Sequence, residues 1–274
     1  MQIEYSYRFK IVAWYCMLFY LLMLYKWMNG LLLYQLDPFF YYTRQDFVTW
    51  LLMQTGLHKW LLNNGVGCIS FDVTFYSLPA LYFVAYKRNK KLAQVIAMFM
   101  LIANFVYVEC YTLYPSNSIE GHIAWLLFPV IFIPKNDKTF STLFEGLRYF
   151  FLFFFASAGI WKIAQGGAFH TDEMSGILLF QHKELLANSP GFWQSNLITF
   201  LVEHKILSYI LYLSTVLLEL SFIVGFFTKK FDRLLILGFI FFLLMDHLIM
   251  RIPYYEVSPL LLTLWFSKKD NQLH

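Results

Sequence analysis

Apolar residues run along this chain in long blocks with few polar interruptions. Eight blocks read as membrane spans: residues 11–25, 69–86, 92–111, 118–133, 143–163, 206–227, 234–250 and 257–266, the last of them short. A helix crossing the hydrocarbon core needs about 20 residues, and every backbone amide there must be bonded within its own segment. Blocks of this length do not show the alternation of a β-barrel strand. The pattern therefore predicts an all-α, polytopic transmembrane helical bundle of about eight spans, a single domain over residues 1–274.

Two long connections remain, about 26–68 and 164–205. In the first, Phe47, Trp50, Leu51, Leu57, Trp60 and Leu61 recur among Arg44, Asp46, Gln54, His58 and Lys59, which predicts an amphipathic helix lying on the membrane surface. The second carries Gly166-Gly167 and Asn188-Ser189-Pro190-Gly191 and is expected to turn twice, so that both loops cap one end of the bundle.

Composition agrees with the pattern. The chain is 59% hydrophobic and 14% charged, against roughly 45–50% and 25% in soluble domains. Its +4 formal charge does not imply a nucleic-acid partner, because the cations sit in short clusters between apolar blocks. They report topology instead. Lys87, Arg88, Lys90 and Lys91, and likewise Lys229, Lys230 and Arg233, mark cytoplasmic turns by the positive-inside rule. Arg8, Lys10, Lys135, Lys138, Lys268 and Lys269 then fall on the same side, both termini are cytoplasmic, and the two long loops are external. The first block has no small-residue cleavage site after it and reads as an uncleaved signal anchor. Cys16, Cys68 and Cys110 lack CxxC or zinc-ligand spacing. Cys68 and Cys110 could meet outside, as a disulfide or as two inert thiols.

Ionisable groups inside the spans are costly and need partners. Arg148 and Glu219 lie at matching depth from the cytoplasmic side, which predicts a structural ion pair, with Glu145 as an alternative partner one turn before Arg148. Another set collects at the outer helix ends: Asp72, Glu109, His122, Lys162, His170, Asp246, His247, Arg251 and Glu256. Solvation is the expectation for Asp72, Arg251 and Glu256. Lys162 follows 150–160 with no polar turn between, and a desolvated lysine can serve as a base near neutrality; snorkelling to the headgroups is the plainer alternative. His122 and His247 stand among apolar residues, and no HExxH or comparable spacing offers a metal site.

The stretch Phe155-Ala156-Ser157-Ala158-Gly159-Ile160-Trp161-Lys162-Ile163 resembles the membrane core of the vitamin K-dependent γ-glutamyl carboxylases and their bacterial HTTM-domain relatives. In that family an apolar helix ends in Ala-Gly-apolar-Lys-Lys-Leu. Glu120-Gly121-His122 is similar to the family's Asn-His helix start, and Asp246-His247-Leu248 to its Phe-His segment. The resemblance covers roughly 75–266 and implies an outward-opening lipophilic pocket. In it Lys162 would act as catalytic base on a quinone-like or lipid molecule, with His122 and His247 as hydrogen-bonding or proton-transfer groups. Trp125, Phe151, Phe154 and Trp161 are candidates to line it. It further implies a multi-pass protein of a bacterial inner (plasma) membrane. Trp161 stands where the family has its first lysine and Gly121 where it has asparagine, and no extramembrane domain follows Phe266, so carboxylation of a protein substrate is not expected. A non-catalytic membrane subunit that holds a membrane or exported protein partner is the alternative. The lipid bilayer is the partner common to both readings.

Overall fold

The apolar blocks become helices because a chain in hydrocarbon has no other donor or acceptor for its backbone. The computed structural model describes residues 2–36, 47–114, 120–252 and 254–267, and every regular element among them is helical. Six segments are long and apolar enough to cross a membrane: Tyr7–Gln35, Gly65–Arg88, Lys90–Tyr111, Asp137–Ala164, Lys205–Phe227 and Asp232–Met250. The chain is thus built as a multi-pass membrane protein. Two expected spans differ. The fourth contains only the ten-residue helix Ile123–Phe132 behind a short turn of 3-10 helix, and the eighth is the 3-10 segment Tyr255–Leu260 followed by Leu261–Trp265. At 1.5 Å per residue, ten residues cover about 15 Å, half of a typical hydrocarbon core. Arg44, Asp46, Lys268, Lys269 and the start of the fourth block lie outside the described residues.

Contacts divide the chain into two compact units, a division the apolar pattern does not carry. The first holds residues up to Glu145 together with Tyr255–Thr263. Its elements are α1 (Gln2–Met28), α2 (Phe47–Gln54), α3 (Leu57–Leu62), α4 (Gly65–Arg88), α5 (Lys90–Tyr111), α6 (Ile123–Phe132) and the start of α7 (Asp137–Ala164). Its core is aromatic: Phe75 stacks on Tyr107 at 3.8 Å between ring centroids, Tyr15 on Phe128, and Trp125 is 1% exposed among them. Within α4, Pro79 cannot donate to the helix ladder. One residue on, the Tyr20 hydroxyl enters that ladder, donating to the Tyr76 carbonyl at 2.8 Å and accepting from the Ala80 amide at 3.1 Å.

The expected surface helix is present as two short helices, α2 and α3, separated because Gly56 takes a left-handed conformation. Phe47, Trp50, Leu51 and Trp60 point outward, whereas Thr49, His58, Leu61 and Leu62 are buried. Cys68 and Cys110 are free thiols, and Cys68 Sγ donates to the Leu61 carbonyl.

The second unit holds Gly146–Tyr254 and the chain from Leu264. After α7 come α8 (Glu173–Gln181), α9 (Lys183–Asn188), α10 (Trp193–Glu203), α11 (Lys205–Ser221), α12 (Val224–Phe227) and α13 (Asp232–Met245). A cluster of Phe151, Phe155, Phe222 and Phe239 packs its centre. Gly225 permits a close approach there: a Cβ at that position would stand 2.5 Å from Leu152 Cδ2. Beyond Met245 the helix widens into a π-helical turn, Asp246–Met250, closed by Arg251 in the left-handed region at φ 56°. Such π-turns are rare and concentrate where helices are bent to a purpose. The turn's loose carbonyls are capped from α8's end, with Gln181 Nε2 donating to Met250 and His182 Nε2 bonded to Ile249. Burial holds the His182 pKa below its ordinary value, so the ring is neutral in this cap.

Candidate functional site

Lys162 sits in the last turn of α7, which stops at Gly166, the left-handed glycine typical of a helix C-terminus. Gly159, three residues earlier, lets α11 come close: a Cβ there would stand 3.1 Å from Glu219 Cβ and from Leu220. Small residues at such crossings bring membrane helices together. The approach delivers Lys162 Nζ to Glu219 Oε1 at 2.6 Å. The lysine side chain keeps 29% of its surface exposed, while the glutamate keeps 3%. Glu219 Oε2 is buried and has no hydrogen-bond partner among the described residues. Asp246, in the π-turn, lies within electrostatic reach of both groups, and its Oδ2 is likewise buried and unpartnered. Tyr212 lies alongside, with Lys162 Nζ 6.0 Å from its ring centroid. One ammonium thus faces two carboxyls.

The expected Arg148–Glu219 pair is replaced by two others. Arg148, 1% exposed, is held in a bidentate bond by Asp232, Nη2 to Oδ1 at 2.6 Å and Nε to Oδ2 at 3.0 Å. Its Nη2 also donates to the Gly225 carbonyl, and Ser267 Oγ donates to Asp232 Oδ2. Glu219 belongs to Lys162. The reading by depth failed because it placed Asp232 in a solvated turn, whereas Asp232 is 3% exposed at the start of α13, where a helix N-terminus favours a carboxylate. Glu145, the alternative partner, lies one turn before Arg148 on α7.

The remaining candidates belong to different units. His247 follows Asp246 in the π-turn of the second unit. His122 belongs to the first unit, where a different cluster surrounds it. Lys26, 2% exposed near the end of α1, lies 2.5 Å from Glu256 Oε1, donates to Tyr111 Oη at 3.0 Å and stands 4.2 Å from the Tyr111 ring centroid. His122 Nε2 approaches the same Glu256 oxygen at 3.6 Å, and its ring meets Tyr111 and Trp125 edge-on. Asp72 is buried too, accepting from Tyr107 Oη at 2.8 Å and the Tyr34 amide at 3.0 Å, and Glu109 accepts from Thr49. Solvation was expected for Asp72 and Glu256; neither shows it. Arg251 is exposed, as expected.

Of the proposed lining, Trp125 and Phe151 are core residues, and Trp161 is 64% exposed. Among the described residues no three His, Cys, Asp or Glu side chains are placed to hold a metal ion. Lys26, Tyr107 and Tyr111 escaped the sequence reading. The one available signal was Lys26 itself, a cation followed by the apolar Trp27 and Met28 before the turn residues Asn29-Gly30, which places it in the last turn of the helix. No family model, curated protein or solved structure matches the chain.

Proposed function

We propose that the Lys162–Glu219 pair is the reactive centre of a membrane enzyme, where Lys162 acts as base on a lipophilic, quinone-like or lipid substrate. The observation that carries this reading is the pair's asymmetry: a partly exposed ammonium beside a buried carboxylate whose second oxygen lacks a partner. An amine becomes a base only after losing its proton. Glu219 Oε1 is in hydrogen-bond contact to receive it. The free amine can then accept a proton from an acidic hydroxyl on the substrate, and Oε2 of Glu219 is a ready acceptor for a further donor. The resemblance to the γ-carboxylase membrane core adds to this reading through the position of Lys162 at the end of its apolar helix.

The test is turnover of a reduced quinone by the full chain in mild detergent. Removing a general base costs about 10²–10⁴-fold in rate. We expect Lys162→Ala and Glu219→Gln each to lose activity on that scale while eluting as the folded species. Activity unchanged in Lys162→Ala would end the proposal. A second reading, a non-catalytic subunit holding a partner protein, draws on the apolar side chains left exposed between α7 and α11, including Phe169 and Phe180. It predicts no turnover at all and a stoichiometric protein partner.

The proposal carries a topology: eight crossings with both termini in the cytoplasm of a bacterial inner membrane. Bonds in the first unit support it, because α6 begins beside Lys26 and Glu256 and ends at Phe132, whose carbonyl accepts from Arg8 at 3.0 Å near the opposite end of α1. The short α6 thereby runs between both ends of its unit. Cysteines introduced at 87–91 should resist membrane-impermeant labelling in intact cells; labelling from outside inverts the assignment.

A further inference from the structure

A pocket in the first unit lies toward the other end of α1 from Lys26 and Glu256. It is open to solvent and lined by Arg8, Tyr86, Lys90, Gln94, Phe132 and Lys135, among others. Arg8 is its floor. The side chain is 4% exposed, and its guanidinium lies over the Tyr86 ring at 5.3 Å and the Phe140 ring at 4.7 Å. Nη2 donates to the Phe132 carbonyl and Nη1 reaches Asp137 Oδ1 at 3.4 Å. Nε is buried and has no acceptor among the described residues. Lys90 and Lys135 stand exposed at the rim. Three cations therefore converge on a space where, among the described residues, Asp137 is the carboxylate in contact with Arg8, and a buried donor lacks its acceptor there. The amide end of the 22-residue α5 opens at Lys90 and adds to the positive potential.

We propose that this pocket binds the phosphate group of an anionic membrane lipid. A phosphate supplies what the site lacks: acceptor oxygens for Arg8 Nε and negative charge for Lys90 and Lys135. A lipid, in preference to a free anion, follows from what adjoins the pocket. Val95, Phe99 and Ile102 are exposed on α5 at one-turn intervals just beyond Gln94, forming an apolar track on a span, where an acyl chain would lie. Basic pockets between membrane helices are known to take lipid phosphates in this manner.

The test is native mass spectrometry of the full chain in detergent, titrated with dioleoylphosphatidylglycerol, with dioleoylphosphatidylcholine and, separately, with inorganic phosphate. Lys90→Gln/Lys135→Gln is the informative variant, because both side chains are exposed and the fold does not depend on them. One phosphatidylglycerol should bind in preference to phosphatidylcholine, and the double variant should lose about tenfold or more of that preference, as expected for two juxtamembrane cations. Equal binding of the two lipids, or a preference that the variant keeps, overturns the site. Inorganic phosphate that competes the lipid away at millimolar concentration assigns the pocket to a free anion and overturns the lipid.

Discussion

Arg148→Met should cost about 3–5 kcal/mol of stability, because it leaves the Asp232 carboxylate buried without its countercharge. The loss would be read as a lower midpoint for unfolding in SDS added to mild detergent. Arg148→Met/Asp232→Leu should recover most of it, since removing both charges removes the desolvation penalty with the bond. What the double variant does not recover is the tie from Arg148 Nη2 to the Gly225 carbonyl and from Ser267 to Asp232. Those bonds join α7, the end of α12, the start of α13 and the chain beyond Leu264. A single variant as stable as the parent would show that the pair contributes nothing to the fold.

Lys26→Met should be nearly as damaging at pH 8, costing about 3 kcal/mol or more for the same reason. Glu256 would be left buried, with Tyr111 no longer bridged to it by the ammonium. Lys26→Met/Glu256→Leu should recover most of that loss, because removing both charges removes the desolvation penalty together with the contact. A single variant as stable as the parent would show that the contact contributes nothing to the first unit.

The helical bundle was readable in the sequence because hydrocarbon leaves a polypeptide one local solution, and apolar length reports it directly. The partners of the buried charges were not. Arg148 and Glu219 match in depth when counted along separate spans, but depth has no azimuth: α7 turns Arg148 toward Asp232 and Lys162 toward Glu219. Asp232 was hidden by its neighbours Lys229, Lys230 and Arg233, which made it look like one more residue of a solvated turn. Lys26 fell in the connection expected at about 26–68 because the apolar block weakens at Tyr25, yet α1 continues to Met28. The shortness of the eighth block was legible. Its use was not: a segment too short to cross unaided supplies Glu256 and packs against α1 and α6. Lys162 was singled out in the sequence as a desolvated base or a snorkelling cation, and the acid it meets, Glu219, had been assigned to Arg148.

The Lys26–Glu256 contact joins a helix to a segment made roughly 230 residues later. With synthesis at about 5–20 residues per second, the ribosome needs roughly 10–50 s to travel from one to the other. During that interval the first helix must sit in the bilayer with its lysine held against the rings of Tyr111 and Trp125, once those have arrived. The first unit is therefore sealed only when Glu256 has been made, and chains cut short before it are left with a membrane-buried ammonium that lacks this carboxylate.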